Sequence, residues 1–400
     1  MEFAGKKVLM LVENNSVPFD KRVWREANTL SANGFLVTIV CPIGREHKKK
    51  FELRDNIKIY RYDAYFSKGS SVGYVFEYFQ SLIKMFFISI RIFLDEGFQI
   101  IHTANPPDTL WIICMFYRLF GVKFIFDEHD LTPEAYLSRF RFDESKKKSK
   151  MYKLLYLFQF ISYKLSNAVI STNISYKKIA ITRGAKTNKV FIVRNGPDTR
   201  DFHYVKPAPK WKNNFPYMAA YIGVMAVQDG VDNILTACKY VVYELNRRDI
   251  YFVLIGKGDE FENLRKMAKN FKIEKFVHFT GRIPEEDVME ILSTADVCLA
   301  PDPSNPLNDY STMNKIMEYM ICKSPIVSFD LVEARYSAQD AAIYVQNNNI
   351  EEFAKGIVYL LSNKNLSNTM ANFGYNRIIN KLLWENQEIN LIKAYKYALQ

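Results

Sequence analysis

A hydroxyl, a lysine and a glutamate stand at helical spacing within residues 308–320. Ser311 or Thr312 is predicted to cap the helix, because a short hydroxyl accepts a hydrogen bond from a first-turn amide. Ser311, Lys315 and Glu318 then share one face, since residues three or four apart are helix neighbours. Amides at a helix N-terminus and a lysine suit a phosphate, and a carboxylate suits the paired hydroxyls of a ribose. An ordinary amphipathic helix fits the same spacing, with its apolar face at Met313, Ile316, Met317 and Met320.

Polar and ionisable residues also follow two predicted strands in the first half of the chain. His102, Asn105 and Asp108 come after one strand, and residues 127–130, Asp-Glu-His-Asp, come after the next. The carboxyl ends of parallel strands are where α/β proteins hold ligands. A lone histidine is commonly structural, and of the two we favour His129 as the functional one.

The elements that must position these residues alternate regularly. A strand at 8–12, a helix at about 20–33 and a strand at 35–41 predict an α/β fold with a parallel sheet and helices on its faces. The loop at 13–19 lacks the Gly-x-Gly-x-x-Gly fingerprint of dinucleotide sites. A nicotinamide enzyme is therefore disfavoured, and no cofactor is expected.

A charged, proline-rich segment at 206–212 indicates a linker, after which the strand and helix cycle begins again. We predict one domain at 1–203, a second at 204–380, and a final helix at 381–400. Two similar α/β halves suit a ligand held at the carboxyl ends of their strands.

The net charge of +11 predicts an anionic partner. A lysine cluster at 146–150 joins an aromatic helix, and residues 74–93 are also rich in aromatic side chains. Both stretches fit core helices, and they also fit a surface that rests on an anionic membrane. Nucleic acid is disfavoured because no recognised binding module appears.

Residues 221–232, a strand followed by a glycine loop and a helix, resemble the start of the donor domain in the retaining glycosyltransferases of family 4, which have the GT-B fold. Residues 308–333 resemble the donor-binding segment of that family. Residues 101–108 and 124–134 resemble its bacterial surface-polysaccharide branch. The resemblance implies two Rossmann-like domains whose parallel sheets face across a cleft, with the last helix as a candidate to cross back onto the first domain.

The resemblance also assigns roles to individual residues. Glu318 matches the glutamate that holds the nucleotide ribose, and His129 matches a histidine near the donor sugar. Eight positions before Glu318 the family has a second glutamate, where this chain has Tyr310 with Asp309 beside it. The expected site residues are catalytic His129, Asp309 and Lys315; donor-binding Gly223, Gly256, Lys257, Arg282, Ser311, Thr312 and Glu318; and acceptor-binding His102, Asn105 and Asp108.

No metal site is predicted. Adjacent residues on an extended strand point to opposite sides, so the side chains of residues 127–130 converge poorly. Residues 302–304, Asp-Pro-Ser, lack the second aspartate of the Asp-x-Asp motif that metal-dependent sugar transferases carry. The five cysteines are scattered without metal-ligand spacing, which fits reduced thiols in a cytoplasmic protein.

The resemblance thus implies a metal-independent, hexosyltransferase-type enzyme of polysaccharide biosynthesis. It would move a sugar, with retention, from a nucleotide diphosphate sugar to a polysaccharide or lipid-linked glycan acceptor. Its expected location is the cytoplasm, peripherally on the inner face of the cell membrane. Val224 and Asp229 replace the two cations that the family places near the diphosphate. Two alternatives therefore stay open: a non-catalytic subunit of a glycan-assembly complex, and a nucleotide-sugar epimerase of the same fold.

Overall fold

The computed structural model describes residues 3–44, 47–65, 71–138, 140 and 142–400, apart from the side chains of residues 71, 72, 74 and 75. The chain forms two compact units. Unit 1 comprises Met1–Arg194 and Gln387–Gln400, and unit 2 comprises Asn195–Asn386. The first unit thus ends at residue 194, where the sequence analysis places a boundary at 203.

Eight strands of unit 1 form one sheet. They are β1 (Lys7–Val12), β2 (Leu36–Pro42), β3 (Phe51–Arg54), β4 (Ile57–Tyr62), β5 (Ile100–Ala104), β6 (Lys123–Glu128), β7 (Ala168–Ser171) and β8 (Val190–Ile192). Their order is β3-β4-β2-β1-β5-β6-β7-β8, and only β3 runs antiparallel to its neighbour. The sequence analysis missed β3, because Phe51 and Leu53 are exposed and this edge strand has no buried face to give it an alternating pattern.

The helices of unit 1 connect these strands. They are α1 (Lys21–Ala32), α2 (Ser71–Asp95), α3 (Trp111–Arg118), α4 (Thr132–Ser138), α5 (Lys150–Leu165) and α6 (Ile174–Thr182). The carboxylate of Asp20 caps α1 by accepting a hydrogen bond from the Val23 amide at 3.1 Å. Right-handed crossovers between successive strands place α2, α3 and α5 on one face of the sheet and α1 on the other. Among the described residues, no helix combines the length and the apolar character that crossing a bilayer requires.

Unit 2 contains a six-stranded, fully parallel sheet. Its strands are β9 (Tyr217–Ile222), β10 (Ile250–Ile255), β11 (Val277–Gly281), β12 (Val297–Ala300), β13 (Ile326–Phe329) and β14 (Ala342–Val345). Their order is β11-β10-β9-β12-β13-β14. The connections leave in opposite directions from β9 and β12, so the loops after these two strands meet at the switch point of the sheet.

Seven helices between these strands and after them complete the part of unit 2 that the structure describes, together with a turn of π-helix at Ile378–Leu382. They are α7 (Val231–Tyr243), α8 (Phe261–Asn270), α9 (Glu285–Thr294), α10 (Asn314–Ile321), α11 (Val332–Ala338), α12 (Ile350–Ser362) and α13 (Lys364–Arg377). The last helix, α14 (Trp384–Leu399), begins in unit 2 and ends in unit 1.

Glycines allow the loops at the carboxyl edge of this second sheet to pack backbone against backbone. Gly256 has φ of +127°, and a Cβ added to it would lie 1.9 Å from the carbonyl oxygen of Gly223. Its amide donates to the carbonyl of Gly281 at 3.0 Å. Gly256 therefore allows the loop at Gly223 to approach closely, and no larger residue fits there.

Replacing Gly256 with alanine should destabilise the protein by more than about 3 kcal/mol, because the new Cβ meets both a strained φ and a backbone oxygen. Gly281→Ala is the matched control, since Gly281 has φ of +69° but open space around the added atom. It should cost only about 1–2 kcal/mol. Denaturant unfolding of the two variants measures the difference, and equal losses would show that the backbone contact contributes nothing.

Candidate functional site

A buried ion pair lies at the switch point of unit 2. Lys315, in the first turn of α10, donates from Nζ to Asp302 Oδ1 at 2.6 Å. Asp302 follows β12 between two prolines, and both side chains are buried. The Lys315 ammonium also lies 5.0 Å from the centre of the Tyr221 ring at the end of β9. Lys315 is thus held at the sheet edge by a carboxylate below a glycine loop.

Gly223 belongs to that loop and lies directly over the pair. A Cβ at Gly223 would fall 2.4 Å from the Tyr221 hydroxyl and 3.4 Å from Cε of Lys315. The Tyr221 hydroxyl is directed to the Val224 carbonyl at 2.9 Å, which fixes the path of the loop. The structure therefore brings together two of the residues expected at the donor site, Gly223 and Lys315.

The ammonium group of Lys315 and the carboxyl groups of Asp302 and Asp229 lie close enough to shift one another's pKa. Burial would lower the pKa of Lys315, but the charge of Asp302, with those of Tyr221 and Asp229, raises the pKa above its ordinary value. Burial raises the pKa of Asp229 to about 6, although Lys315 opposes the change. The positive charge of Lys315 is therefore already balanced within the protein.

The predicted helix cap is wrong. The helix α10 begins at Asn314, and its N-cap is Met313, which makes no side-chain cap hydrogen bond. Ser311 instead follows a short 3-10 helix at Asn308–Tyr310 and donates its hydroxyl to the Leu307 carbonyl at 2.8 Å. The turn that ends this 3-10 helix separates Ser311 and Thr312 from the first turn of α10.

The other expected donor-site residues of unit 2 occupy neighbouring loops. Glu318 is half-buried in α10, one turn after Lys315. Gly256 touches the Gly223 loop as described, whereas the exposed Lys257 has its ammonium 5.6 Å from the centre of the Phe261 ring. Arg282 is exposed after β11.

Asp309 is half-buried in the short 3-10 helix, beside the exposed Tyr310. Its backbone amide donates to the Asn305 carbonyl at 3.0 Å. Burial raises the pKa of its carboxyl group. Among the residues that the structure describes, none hydrogen-bonds to one buried carboxylate oxygen of Asp309, so this oxygen could accept from a bound hydroxyl.

A second cluster lies at the carboxyl edge of the sheet in unit 1, centred on Asp127. The guanidinium of Arg22 reaches from α1 and donates to Asp127 Oδ1 at 2.9 Å and Oδ2 at 3.3 Å. The same group donates to the Val193 carbonyl at 2.9 Å and lies 3.1 Å from Glu26 Oε1. Arg22 therefore joins α1 to the ends of two strands.

Both histidines expected in the site contact Asp127. His129 Nε2 lies 2.5 Å from Asp127 Oδ2, and its side chain is 14% exposed. His102 Nε2 lies 3.5 Å from the same oxygen, while its Nδ1 lies 2.8 Å from the hydroxyl of Tyr395 on α14. His102 is fully buried, so of the two histidines only His129 reaches the surface.

The amide of Asn105 fixes the loop that carries His129. Its oxygen accepts from the backbone amide of His129 at 2.6 Å, and its nitrogen donates to Asp108 Oδ1 and to the Asp130 carbonyl, each at 2.8 Å. Asn105 and Asp108 are buried. The buried side chains of Asn105 and Asp108 therefore lie under the loop that carries His129 and support its conformation.

Charge compensation decides which groups of this cluster are ionised. Burial would raise the pKa of Asp127, but Arg22 and the histidines hold it well below its ordinary value. Burial and the charge of Asp127 raise the pKa of Glu26 well above its ordinary value. Burial lowers the pKa of His102. Asp127 is therefore the stable anion, and Glu26 is the acid that takes up a proton.

Glu26, His102 and Asp127 bring three potential metal-ligand atoms within 4.8 Å of one another. Arg22 already supplies positive charge to both carboxylates of this group. The expectation of a metal-free site stays a prediction.

Strand alternation explains why Glu128 contacts a different environment from Asp127. Glu128 accepts from the hydroxyl of Tyr163 and from Gln159 Nε2 at 3.0 Å, on the opposite side of β6. Burial raises the pKa of Glu128 to about 8 and that of Asp108 to about 6. Glu128 therefore keeps its proton at neutral pH, whereas Asp108 loses most of its proton before neutral pH is reached.

Sequence reasoning missed four members of these clusters: Arg22, Glu26, Tyr395 and Asp302. Arg22 and Glu26 carried a usable signal, because opposite charges four residues apart on a helix form a pair. Asp302 and Tyr395 carried none, since each meets its partner through tertiary contacts across the chain.

Models of known families match both units. Residues 21–201 match the model described as Glycosyltransferase Family 4, and residues 216–363 match the model described as Glycosyl transferases group 1. An uncharacterized glycosyltransferase of Methanocaldococcus jannaschii is 25% identical to this chain over 362 residues, which cover 87% of this chain and 86% of the relative.

Two solved structures resemble the whole chain. Anabaena HepE in complex with UDP-glucose superposes with a TM-score of 0.73 at 12% identity, covering 98% of this chain and 99% of its own. WaaG, a glycosyltransferase involved in lipopolysaccharide biosynthesis, superposes with a TM-score of 0.72 at 12% identity, covering 97% and 99%. The prediction of two Rossmann-like α/β units is confirmed.

The two parallel sheets and the family matches define a glycosyltransferase of GT-B fold. Within that class, the chain belongs to the family 4 glycosyltransferases.

The free energy of unfolding should fall as pH rises from about 5 to about 8. Glu128 has a folded pKa of about 8 against an ordinary value of 4.5, so the folded state binds more protons in this interval. The contribution of Glu128 to the slope should approach about 1.4 kcal/mol per pH unit while only the folded state is protonated. Glu128→Gln should flatten the slope, whereas the exposed control Glu144→Gln should not. Denaturant unfolding across this interval provides the test, and an unchanged slope in Glu128→Gln would contradict the assignment.

Proposed function

We propose that this enzyme transfers a sugar from a nucleotide diphosphate sugar to a polysaccharide or lipid-linked glycan acceptor, with retention and without a metal. The observation that carries the proposal is Lys315, a buried ammonium directly below the Gly223 loop at the switch point of unit 2. A lysine and a glycine loop at strand carboxyl ends suit a diphosphate. The UDP-glucose bound to HepE and the lipopolysaccharide role of WaaG support the choice of donor and acceptor class.

The donor roles follow the order of residues in unit 2. Glu318 would accept from the ribose hydroxyls, with Ser311 and Thr312 near the diphosphate. Gly223 and Gly256 would let the ligand approach the backbone, and Lys257 and Arg282 would add charge. Lys315 would stabilise the negative charge that builds on the leaving diphosphate, which is where most catalytic benefit is available.

The remaining roles concern the sugar and the acceptor. His129 and Asp309 would contact the donor sugar, and the unpartnered carboxylate oxygen of Asp309 supports this role. The acceptor would bind along the loop shaped by His102, Asn105 and Asp108. Catalysis would rest mainly on positioning of the two substrates.

One observation favours a second candidate, a glycosyltransferase-like subunit that binds donor without transferring it. Asp302 already balances the charge of Lys315, and Val224 and Asp229 offer no replacement cation. A leaving diphosphate would then meet less positive charge than the reaction needs. The two candidates differ in turnover rather than in nucleotide binding.

A thermal-shift screen with nucleoside diphosphates and their sugars should first identify the donor, since a ligand that binds the folded state raises its melting temperature. Turnover of Asp302→Asn and of Asp302→Asn with Lys315→Met should then be compared. Because both variants carry Asp302→Asn and so lack this carboxylate, Lys315→Met does not leave a buried, unpaired anion behind. In the single variant the carboxyl group of Asp229 remains near the Lys315 ammonium. If Lys315 is the leaving-group cation, the double variant should turn over on the order of 10²-fold more slowly than Asp302→Asn, with a smaller loss of donor affinity.

Equal turnover of these two variants would exclude Lys315 as the leaving-group cation. A wild type that binds nucleotide but transfers sugar to no glycan acceptor would favour the non-catalytic subunit. Lys355→Met, at an exposed lysine of α12, controls for the general loss of positive charge.

We also propose that unit 1 rests on an anionic membrane, where a lipid-linked acceptor would lie. Exposed Phe76, Phe79, Ile83 and Phe87 follow one another at helical spacing along α2. Exposed Phe116 on α3 and exposed Phe120 in the turn after it extend this apolar surface, and the Phe116 ring lies 5.2 Å from that of Phe86. 

The lysine cluster at 146–150 supplies the charge that favours an anionic partner for this surface. Lys148 and Lys150 are exposed at the start of α5, which packs against α3. Apolar side chains beside exposed lysines are typical of an interfacial surface on acidic lipid. The helices α2, α3 and α5 share one face of the sheet in unit 1, and the lysine cluster leads into α5, so one membrane could meet both the apolar residues and the cluster.

Vesicles that contain phosphatidylglycerol should bind the protein, and replacing Phe79 and Phe87 with aspartate should reduce binding at least about tenfold, because each ring contributes about 1.5–3 kcal/mol when buried. Ile389→Asp, at an equally exposed apolar residue of α14, should change nothing. Sedimentation measures the bound fraction, which should also fall with salt and with glutamine at 146–148 and 150. Unchanged sedimentation of the double aspartate variant would rule out this surface.

A further inference from the structure

His129 is held at both its backbone and its ring. Its amide donates to Asn105 Oδ1 at 2.6 Å, and its Nε2 lies 2.5 Å from Asp127 Oδ2. The ring therefore has one nitrogen committed to a buried carboxylate. Among the described residues, the other nitrogen, Nδ1, has no recorded partner, and the side chain is 14% exposed.

We propose that Asp127 is a positioning residue that keeps the proton of the neutral His129 ring on Nε2 and so presents Nδ1 as a hydrogen-bond acceptor to a hydroxyl of the sugar substrate. The inference rests on the proposed function for the identity of that hydroxyl. The inference goes beyond the proposed function in assigning the orientation of the His129 ring, its tautomer, and Nδ1 as the acceptor in the contact.

The tautomer follows from the chemistry of Asp127. An ionised carboxylate only accepts hydrogen bonds, so a ring nitrogen at 2.5 Å must carry the proton. Two hydrogen bonds from Arg22 keep Asp127 ionised inside the protein. In a neutral imidazole one nitrogen donates and the other accepts, so Nδ1 is left with its lone pair.

The contact between Asp127 and His129 is additional to the structural role of Asp127 as the partner of Arg22. Arg22 already satisfies the charge of Asp127, and His102 has its own partner in the Tyr395 hydroxyl at 2.8 Å. His129 is the one member of this cluster that the structure exposes, as Arg22, Glu26, His102 and Asp127 are all buried. The buried groups of the cluster thus fix the orientation of one surface side chain, His129.

The first test reads the tautomer directly by long-range ¹H–¹⁵N spectra of protein labelled at histidine, at a pH where the ring is neutral. His129→Gln assigns the signal among the five histidines. We expect a protonated Nε2 and an unprotonated Nδ1 in the wild type. Protonated Nδ1 in the wild type would overturn the proposal, whether or not the enzyme is active.

The second test compares two buried acids of the cluster. Asp127→Asn offers an amide that can also donate, so His129 should lose its single tautomer, and turnover should fall on the order of tenfold to a hundredfold at saturating donor. Glu26→Gln changes an equally buried acid that lies beside Arg22, His102 and Asp127 but is not among the described partners of His129, and it should keep the His129 spectrum. If both variants alter the spectrum alike, Asp127 acts only through the stability of the core, and the proposal fails.

Failure of the proposed function has a different signature. A wild type with the expected tautomer but with no sugar transfer would refute the proposed reaction and remove the sugar hydroxyl from the inference. A wild type that transfers sugar but has the proton on Nδ1 would refute the inference alone.

Discussion

The carboxyl edge of the sheet in unit 1 depends on one buried ion pair, between Arg22 and Asp127. A carboxylate with no exposure is unstable unless charge and hydrogen bonds compensate it. Arg22 provides both through its planar fork, and it binds the Val193 carbonyl with the remaining nitrogen. This single side chain therefore fixes α1 against β6 and the segment after β8. The orientation of both histidines follows from the anion that it stabilises.

In unit 2 the buried carboxylate of Asp302 is compensated by a lysine, Lys315, instead of an arginine. Lys315 is a point charge on a flexible stem, and it meets one oxygen of Asp302 rather than two. Such a contact is easier to exchange for another anion than the two hydrogen bonds of Arg22. Arg22–Asp127 in unit 1 therefore fits a structural ion pair, whereas Lys315 in unit 2 could exchange Asp302 for a bound anion.

The helices and most strands could be predicted from sequence because their apolar periodicity is local. The edge strand β3 could not, since exposed Phe51 and Leu53 give it no periodic burial. Glu318 and Lys315 could be placed on one helix by spacing. The cap could not, because the hydroxyl of Ser311 donates to the Leu307 carbonyl instead. The Lys315–Asp302 pair could not be predicted from the sequence, because tertiary folding, rather than helical or strand spacing, brings its two residues together.

The contact between Tyr395 and His102 has a consequence for the order in which the molecule is made. His102 leaves the ribosome early, whereas Tyr395 follows the whole of unit 2. Residues 1–194 therefore cannot complete this buried cluster when they are made, because Tyr395 emerges 293 residues after His102. A nascent chain of this architecture carries an incomplete first half while the second half is made, and α14 then supplies the missing contact.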